Sequence, residues 1–357
     1  MKTLYLVRPV GFNVGNNVIH IGLRNLIREV FDEEVNLITV PATAKYDSYG
    51  HAGLTSPSVF EMNQYGDGVI VGGGNLLENG ELDVDVEALG ALRPPMMLFS
   101  LSWGRMYDRF GQLVRRTDSL PDRTAQALME AAEIAVARDE VTRDFMGSLA
   151  HQEVLLGGCP TLFLKRTIKS RDSSTALISV RNPSLMSISP SHQADVRRQI
   201  ESTLEILAKK GLRAQLLCHD HRDISFATSF PGIPMRYFED PREFLAALQT
   251  TPLLVSYRLH SFIPAMVFGT PSVKISYDER AVSAMRTLGL GDWNINIFED
   301  ENPEPAIRAR ITKSDSLSEI WAALETTRGG LKSVQQAAMR RFKESVDAYS
   351  SGSRARA

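Results

Sequence analysis

The chain has 357 residues, 43% of them hydrophobic and 23% charged, with a formal net charge of −2. That length allows two domains with a substantial core, and the near-neutral balance excludes a general attraction to nucleic acid while leaving room for a local basic groove. Two cysteines, Cys159 and Cys218, supply neither a disulfide framework nor a zinc spacing and suit reduced thiols in a cytoplasmic protein.

Residues 4–7 are a short apolar run stopped by Arg8, which reads as a first strand rather than a signal peptide. A helical pattern covers 18–31 and a strand pattern 35–40. After a long polar stretch, Gly68-Val69-Ile70-Val71 ends in three glycines, and a strand at 96–101 follows Pro94-Pro95. Residues 123–133 are helical with Asp122 placed to cap them, 134–137 strand-like, 140–149 helical and 154–156 strand-like. Residues 165–174 are polar, lack apolar periodicity and mark a domain boundary. The alternation then restarts with strand 176–180, helix 193–210, strand 214–218, helix 241–249, strand 253–255, helix 262–268 and strand 271–278. A last helical pattern, 317–349, is broken by Gly329-Gly330 into two helices, and 350–357 reads as a disordered tail. No apolar run approaches the roughly 18 residues of a membrane span. Strands alternating with helices predict an α/β protein of parallel sheets covered by helices, in two halves with a cleft between them.

The strongest chemical signal is Ser256-Tyr257-Arg258-Leu259-His260-Ser261, between a strand and a helix. It sets a guanidinium and an imidazole at the carboxyl end of a parallel strand, where α/β proteins bind ligands. Arg suits carboxylate or phosphate, and His moves protons near neutral pH. Arg181 ends the first strand of the second half and either joins Arg258 as an anion clamp or is a surface arginine near a turn. Gly11 to Asn17, before the first helix, is either an asparagine-capped turn or part of a site whose helix N-terminus attracts anions. Gly72-Gly73-Gly74-Asn75 brings either a ligand or another backbone element close, since a plain turn rarely needs three glycines, and a ligand-facing loop is preferred. Asp139 is a natural cap, and Arg138 either pairs with it or points into the cleft. His219, Asp220, His221 and Asp223 invite a metal reading but lack a convincing further ligand, so a cleft-facing loop that contributes His219 is preferred.

In order along the chain, several segments resemble the polysaccharide pyruvyl transferase family. They are Gly15-Asn16-Asn17, Gly72-Gly73-Gly74-Asn75-Leu76-Leu77, Ala137-Arg138-Asp139-Glu140-Val141-Thr142, Gly158-Cys159-Pro160 and Ser179-Val180-Arg181. Ser256-Tyr257-Arg258-Leu259-His260-Ser261, Gly269-Thr270-Pro271 and Tyr277-Asp278-Glu279-Arg280 complete the set, which spans residues 11–290. The resemblance implies a GT-B-like glycosyltransferase architecture of two Rossmann-like lobes. Residues 1–168 would form the acceptor lobe, 169–316 the donor lobe, and 317–349 helices crossing back to the first. It implies phosphoenolpyruvate as donor, held by Arg258, Leu259 and His260 of the Arg-Leu-His segment and by an upstream arginine, Arg181. The acceptor would be a sugar hydroxyl pair on a cell-surface polysaccharide or its lipid-linked precursor, giving a pyruvate ketal and allowing peripheral membrane contact. Asn16, Asn17, Gly73, Gly74, Asn75, Arg138 and His219 are the cleft or acceptor candidates. Many members carry Gly-Asp where this chain has Gly15-Asn16-Asn17, so the carboxylate there is lost or moved. Segments 46–65 and 103–118 lack a counterpart and are expected to help choose the acceptor.

The implied chemistry needs no metal or cofactor. His260 is the expected general acid, or the group that assists phosphate departure, and Glu78, Glu81, Asp139 and His219 are the candidate bases. Two rivals remain: a nucleotide-sugar glycosyltransferase on the same architecture, and a non-catalytic glycan-binding protein that kept the fold.

Overall fold

The computed structural model describes residues 1–46, 50–108, 110–170, 174–299, 302–316, 320 and 324–354. The first half runs β1 (Lys2–Arg8), α1 (Val14–Val30), β2 (Val35–Pro41), α2 (Ser56–Tyr65), β3 (Gly68–Gly74), α3 (Val86–Gly90), β4 (Met96–Leu101). It continues through β5 (Met106–Tyr107), β6 (Leu113–Val114), α4 (Asp122–Ala131), β7 (Ile134–Ala137), α5 (Glu140–Leu149) and β8 (Val154–Leu156). Six of these strands form a parallel sheet in the order β2-β1-β3-β4-β7-β8, and β5 and β6 make a separate antiparallel hairpin.

The second half runs β9 (Thr175–Val180), α6 (Pro190–Lys209), β10 (Arg213–Cys218), α7 (Ile224–Ala227), β11 (Met235–Tyr237), α8 (Pro241–Thr250) and β12 (Leu254–Ser256). It ends with α9 (Leu259–Val267), β13 (Ser272–Ser276), α10 (Glu279–Thr287), β14 (Ile295–Asn296) and α11 (Glu304–Thr312), before a C-terminal helix, Glu325–Arg354. Its parallel sheet has the order β11-β10-β9-β12-β13-β14. Both sheets are therefore doubly wound, and the fold is the expected pair of Rossmann-like lobes.

Strand alternation sorts the core. In the first sheet Tyr5, Val7, Val69, Val71 and Leu98 face helices α2 to α5, while Leu4, Leu6, Ile70, Met97 and Phe99 face α1 and the C-terminal helix. Ala338, Met339, Phe342 and Val346 bring the C-terminal helix onto this second face. Its packing carries it unbroken through Gly329-Gly330, where two helices were expected, because tertiary burial outweighs the roughly 1 kcal/mol each glycine costs a helix. The helix runs to Arg354, into the stretch read as a disordered tail, and 355–357 lie outside the described residues, as do 317–319 and 321–323 of the expected final helices.

Other boundaries differ for local reasons. Helix α1 starts at Val14, ahead of the apolar periodicity, because the Asn13 side chain accepts from Gly15 N. Asp122 is the first residue of α4 and Pro121 takes the cap position, so Asp122 adds dipole charge rather than the expected cap. The polar stretch after β2 hides α2, which buries only Ser58, Val59 and Met62 and so leaves little apolar pattern to read. Among the described residues no helix is long and apolar enough to cross a membrane.

Gly22 gives a stability test. It is buried in α1, and a Cβ there would lie 2.2 Å from the Pro160 carbonyl oxygen and 2.9 Å from Thr161 N. Backbone cannot yield as a side-chain tip does, so Gly22→Ala is expected to lose about 1–3 kcal/mol despite its better helix propensity. A denaturant midpoint equal to wild type would refute that packing.

Candidate active site

The order of each sheet reverses once next to its first strand, between β1 and β3 in one lobe and between β9 and β12 in the other. Ligands of doubly wound proteins bind at such switch points, outside the carboxyl ends of the strands. Here the two switch points open into one cleft of about 260 Å³. The lobes are joined around it. Val14 N donates to the His219 carbonyl at 3.0 Å. Ile19, Cys159 and Leu162 pack with Phe262, Ile263 and Met266. Arg105 grips Glu279 through Nε, at 3.1 and 3.0 Å, and through its backbone N–H at 2.8 Å.

The turns after β9, β10 and β12 build the cationic wall. Asp223, fully buried, holds two arginines at once. Its Oδ1 accepts from Arg181 Nη1 at 3.3 Å and Asn182 N at 3.0 Å, and its Oδ2 accepts from Arg258 Nη2. Asp220 is engaged by Arg222 through Nε at 2.9 Å and the backbone N–H at 3.0 Å. Burial works against both clamp cations. For Arg258 the Asp223 carboxylate, with Tyr277 and Asp220, outweighs it and raises the pKa, whereas Arg181, which also feels Arg258, ends below its ordinary value. Asp220 Oδ2 also lies 3.8 Å from Arg181 Nη1, so two carboxylates face the three guanidinia of Arg181, Arg222 and Arg258 and leave positive charge for a ligand to neutralise. Arg258 Nε is buried and has no partner among the described residues.

The Ser256–Arg258 turn is fixed at each backbone group. Tyr257 N donates to the Ser179 carbonyl at 3.0 Å, Arg258 N to Ser256 Oγ at 3.0 Å, and the Arg258 carbonyl accepts from Ser256 Oγ at 2.7 Å. Arg258 takes the cap position of α9, and His260 lies in the first turn of that helix. His260 Nε2 is also buried without a partner among the described residues. Burial, then Arg138, Arg258 and Arg280, pushes the His260 pKa down to about 3, so the empty site holds a neutral imidazole. His219 is likewise held neutral by burial and by Arg258, His260 and Arg181, with Nε2 at 2.9 Å from Ser179 Oγ.

The first lobe contributes polar atoms. Asn75 Oδ1, beyond β3, and Ser102 Oγ, beyond β4, line the cleft, are buried, and lack partners among the described residues. Ser102 is aimed there by a register shift between Phe99 and Leu101, where Ser100 takes a φ of 53° and its Oγ donates to the Gly158 carbonyl at 2.9 Å.

Of the residues singled out in the sequence, Asn16, Asn75, Arg138, Arg181, His219, Arg258, Leu259 and His260 line this one cleft. Asn17, Gly73 and Gly74 do not. Asn17 Oδ1 accepts from Arg8 Nη1 at 3.2 Å. The glycine triplet, expected to face a ligand, serves close packing instead: a Cβ on Gly72 would lie 1.9 Å from the Phe99 carbonyl oxygen, and one on Gly73 2.9 Å from Ile19 Cγ2. The N-terminus of α1 is not the open anion site the turn suggested, because the N–H groups of Val14, Gly15 and Asn16 already bond His219 O, Asn13 Oδ1 and Asn13 O. Arg138 satisfies both readings, lining the cleft while its Nε lies 3.4 Å from Asp139 Oδ2.

Two candidate bases are committed elsewhere. Asp139 Oδ1 accepts from Thr142 N, Thr142 Oγ1 and Ser283 Oγ. Glu78 is fully buried between Gly104 N at 2.5 Å and Arg280 Nη1 at 2.9 Å. Glu81 lines the cleft. Of segment 103–118, Arg105, Met106 and Arg116 line it; no described residue of 46–65 does, and 47–49 and 109 lie outside the described residues. No three His, Cys, Asp or Glu side chains are gathered to hold a metal among the described residues.

Asp223, Arg280 and Ser102 carry no role in the sequence reading. Asp223 lay in the stretch weighed for metal, and Arg280 closes the Tyr277-to-Arg280 segment; Ser102 left no signal, since its exposure to the cleft depends on the bulge at Ser100.

A model of the polysaccharide pyruvyl transferase family matches residues 13–279, from the cap of α1 to the start of α10. The chain belongs to this family. It is therefore a pyruvyltransferase, and the match takes in Arg181, Arg258 and His260 while stopping one residue short of Arg280. The family implies a sugar or polysaccharide acceptor. No curated protein matches the chain. Among solved structures, the pyruvyltransferase is similar to S. aureus MnaA in its co-structure with UDP, at 12% identity and a TM-score of 0.58, over 98% of this chain and 97% of that one. It is similar to UDP-GlcNAc 2-epimerase from Neisseria meningitidis bound to UDP-GlcNAc, at 11% identity and TM-score 0.58, over 96% and 100%. The spinosyn rhamnosyltransferase SpnG complexed with thymidine diphosphate matches at 13% identity and TM-score 0.50, over 96% and 100%. At these identities the likeness establishes the GT-B-like fold alone.

Proposed function

We propose that this pyruvyltransferase takes phosphoenolpyruvate as donor and joins its pyruvyl carbon to two hydroxyls of one sugar, forming a ketal on a polysaccharide or its lipid-linked precursor. The observation that carries the reading is the pair Arg181 and Arg258 around Asp223, with Arg258 Nε and His260 Nε2 buried in the same cleft without partners among the described residues. Such an arrangement suits a small, multiply charged anion bearing both carboxylate and phosphate.

A proton added to the donor methylene makes the adjacent carbon electrophilic. A sugar hydroxyl adds there and gives up its proton, phosphate departs with the bonding pair, and the second hydroxyl closes the ketal as its proton passes to the departing phosphate. The guanidinia of Arg181 and Arg258 hold the donor and stabilise the charge that grows on phosphate. His260, neutral when the site is empty, takes a proton once the donor's negative charge offsets Arg138, Arg258 and Arg280, and delivers it as the general acid or to the leaving phosphate. Glu81, Asn75, Ser102 and Asn16 line the cleft and are proposed to meet the acceptor, with Glu81 or His219, which also lines it, as the base. In this reading residues 1–168 form the acceptor lobe and 169–316 the donor lobe, with peripheral membrane contact where the acceptor is lipid-linked.

Isothermal titration with phosphoenolpyruvate, beside a panel of nucleoside diphosphates, tests the donor. Binding by wild type is expected, with a roughly 10–100-fold loss in Arg258→Lys, since charge-assisted hydrogen bonds contribute about 1.5–3 kcal/mol and Lys cannot form the planar fork. Unchanged affinity in that variant would contradict the clamp, and binding of a uridine or guanosine diphosphate in place of phosphoenolpyruvate would redirect the site to glycosyl transfer.

A further inference from the structure

A lysine lies beneath the donor wall. Lys274 is in β13, in register with Ser256 of β12, and its side chain is fully buried. Its Nζ donates to the Tyr257 carbonyl at 3.3 Å and to the Ile275 carbonyl. Among the described residues no carboxylate comes within ion-pair distance of it. A buried ammonium served only by carbonyls is costly unless something recovers the cost, and such lysines concentrate at functional sites.

The Tyr257 carbonyl belongs to the peptide that leads into Arg258. That peptide's N–H is held by Ser256 Oγ, and its carbonyl, facing the other way, is held by Lys274. We propose that Lys274 is a positioning residue for donor capture: from below the cleft its ammonium pins the Tyr257–Arg258 peptide, aims the Arg258 guanidinium, and makes the grip on an anionic donor depend on pH. The proposal rests on the donor reading above.

The charged groups that act on Lys274 are Asp278, on the turn into α10, and Arg258, on the turn into α9. Strand β14 presents the neutral Ile295 and Asn296, and Ile307 and Ile311 of α11 pack with Val273 and Ile275 on the opposite face of the sheet. The side that Lys274 shares with Leu254 and Ser256 is covered by α9, which carries His260, with α10, which carries Glu279 and Arg280, also packed against β13. Burial, aided by Arg258 and opposed by Asp278, draws the ammonium down to about 7. A trianionic donor favours the protonated form, so affinity falls as pH rises past neutrality. His219 and, before the donor arrives, His260 are neutral in that range; the proton that His260 takes up with the donor is common to wild type and the test variants, and the exposed His221, 3.5 Å from Asp220, is controlled by His221→Gln.

The test is titration of wild type, Lys274→Met, Lys274→Arg and His221→Gln with phosphoenolpyruvate from pH 6.5 to 9. The donor's own ionisation is common to all four, so differences between proteins report on the side chains. Wild type and His221→Gln should lose affinity on going to high pH. Lys274→Met should bind roughly tenfold more weakly at pH 6.5, about 1.4 kcal/mol, with a flatter profile. Lys274→Arg, a charge that does not titrate, should restore affinity with a profile as shallow as that of Lys274→Met; where it fails to fold, the methionine profile decides. Wild-type affinity and profile in folded Lys274→Met would overturn the proposal.

Absence of phosphoenolpyruvate binding by wild type would overturn the donor reading instead, and the lysine is then judged by unfolding. Its pKa is lower folded than unfolded, so its penalty on the wild-type fold is complete below about pH 7 and shrinks as pH rises. The Tm of Lys274→Met relative to wild type should therefore drop between pH 6.5 and 9; a constant difference would overturn the titrating lysine.

Discussion

Replacing His260 with alanine is expected to lower turnover by about 10²–10⁴-fold, the span that general acid catalysis typically supplies. Donor affinity should change less, because Arg181, Arg258 and Arg138 remain in the cleft. The variant should also lose a proton that wild type takes up on binding. With its pKa pushed down to about 3, His260 is neutral in the empty site at any working pH. Burial and three arginines depress it; arrival of a carboxylate and a phosphate reverses the field of the arginines and adds anionic partners for the buried imidazole, which is expected to gain a proton. Titration of phosphoenolpyruvate in buffers of different ionisation enthalpy measures that uptake. Turnover near wild type in His260→Ala would remove His260 from the chemistry, and equal proton uptake would assign the proton to another group. The same depression affects stability: His260 and His219 are neutral in the fold but protonate below about pH 6.5 when unfolded. Their contribution is thus complete above that pH and is lost as the solution is acidified toward pH 3.

Much of this was legible in the sequence because parallel strands are buried on both faces and read as continuous apolar runs. Val69-Ile70-Val71, Leu98-Phe99 and Ile134-Ala135-Val136 are such runs, and residues just beyond them must sit at the strand ends. That placed Arg181, Arg258 and His260 beforehand. What stayed hidden depends on partners far apart in the chain. Asp223 and Arg258 are separated by 35 positions, and Arg280 and Glu78 by 202, so neither pair leaves a local pattern. The glycine triplet misled because entropy says only that something comes close, not whether it is a ligand or the Phe99 carbonyl. The turn before α1, left open between a capped turn and part of a site, is both: Gly11, Phe12, Asn13 and Asn16 line the cleft, while His219 and Asn13 take the N–H groups that could have met an anion. The break expected at Gly329-Gly330 failed for want of the contacts that hold the helix on the first lobe.

Asp223→Asn is the second large effect, and its sign depends on whether the donor is present. Wild-type Asp223 is fully buried and neutralises two nearly buried guanidinia, with side-chain exposures of 13% for Arg181 and 11% for Arg258. Asparagine keeps the shape, and its oxygen can still accept from Asn182 N, but its NH₂ would face an arginine that also only donates. Breaking a buried ion pair by removing one partner typically costs about 3–5 kcal/mol, because the remaining charge stays buried and unpaired. The donor-free variant should therefore unfold at markedly lower temperature. The clamp would at the same time be more positive, so an anion entering it recovers interactions that Asp223 supplies in wild type. Phosphoenolpyruvate, or inorganic phosphate at higher concentration, should accordingly raise the Tm of Asp223→Asn more than that of wild type. Turnover should still fall, because a guanidinium freed from Asp223 no longer holds the donor at a fixed angle to His260. Thermal unfolding of both proteins with and without the anion separates the possibilities. A variant as stable as wild type without ligand would mean that Asp223 does not carry the two arginines. A variant that is destabilised but gains no more from the anion than wild type would mean that the arginines are structural and the donor binds elsewhere in the cleft.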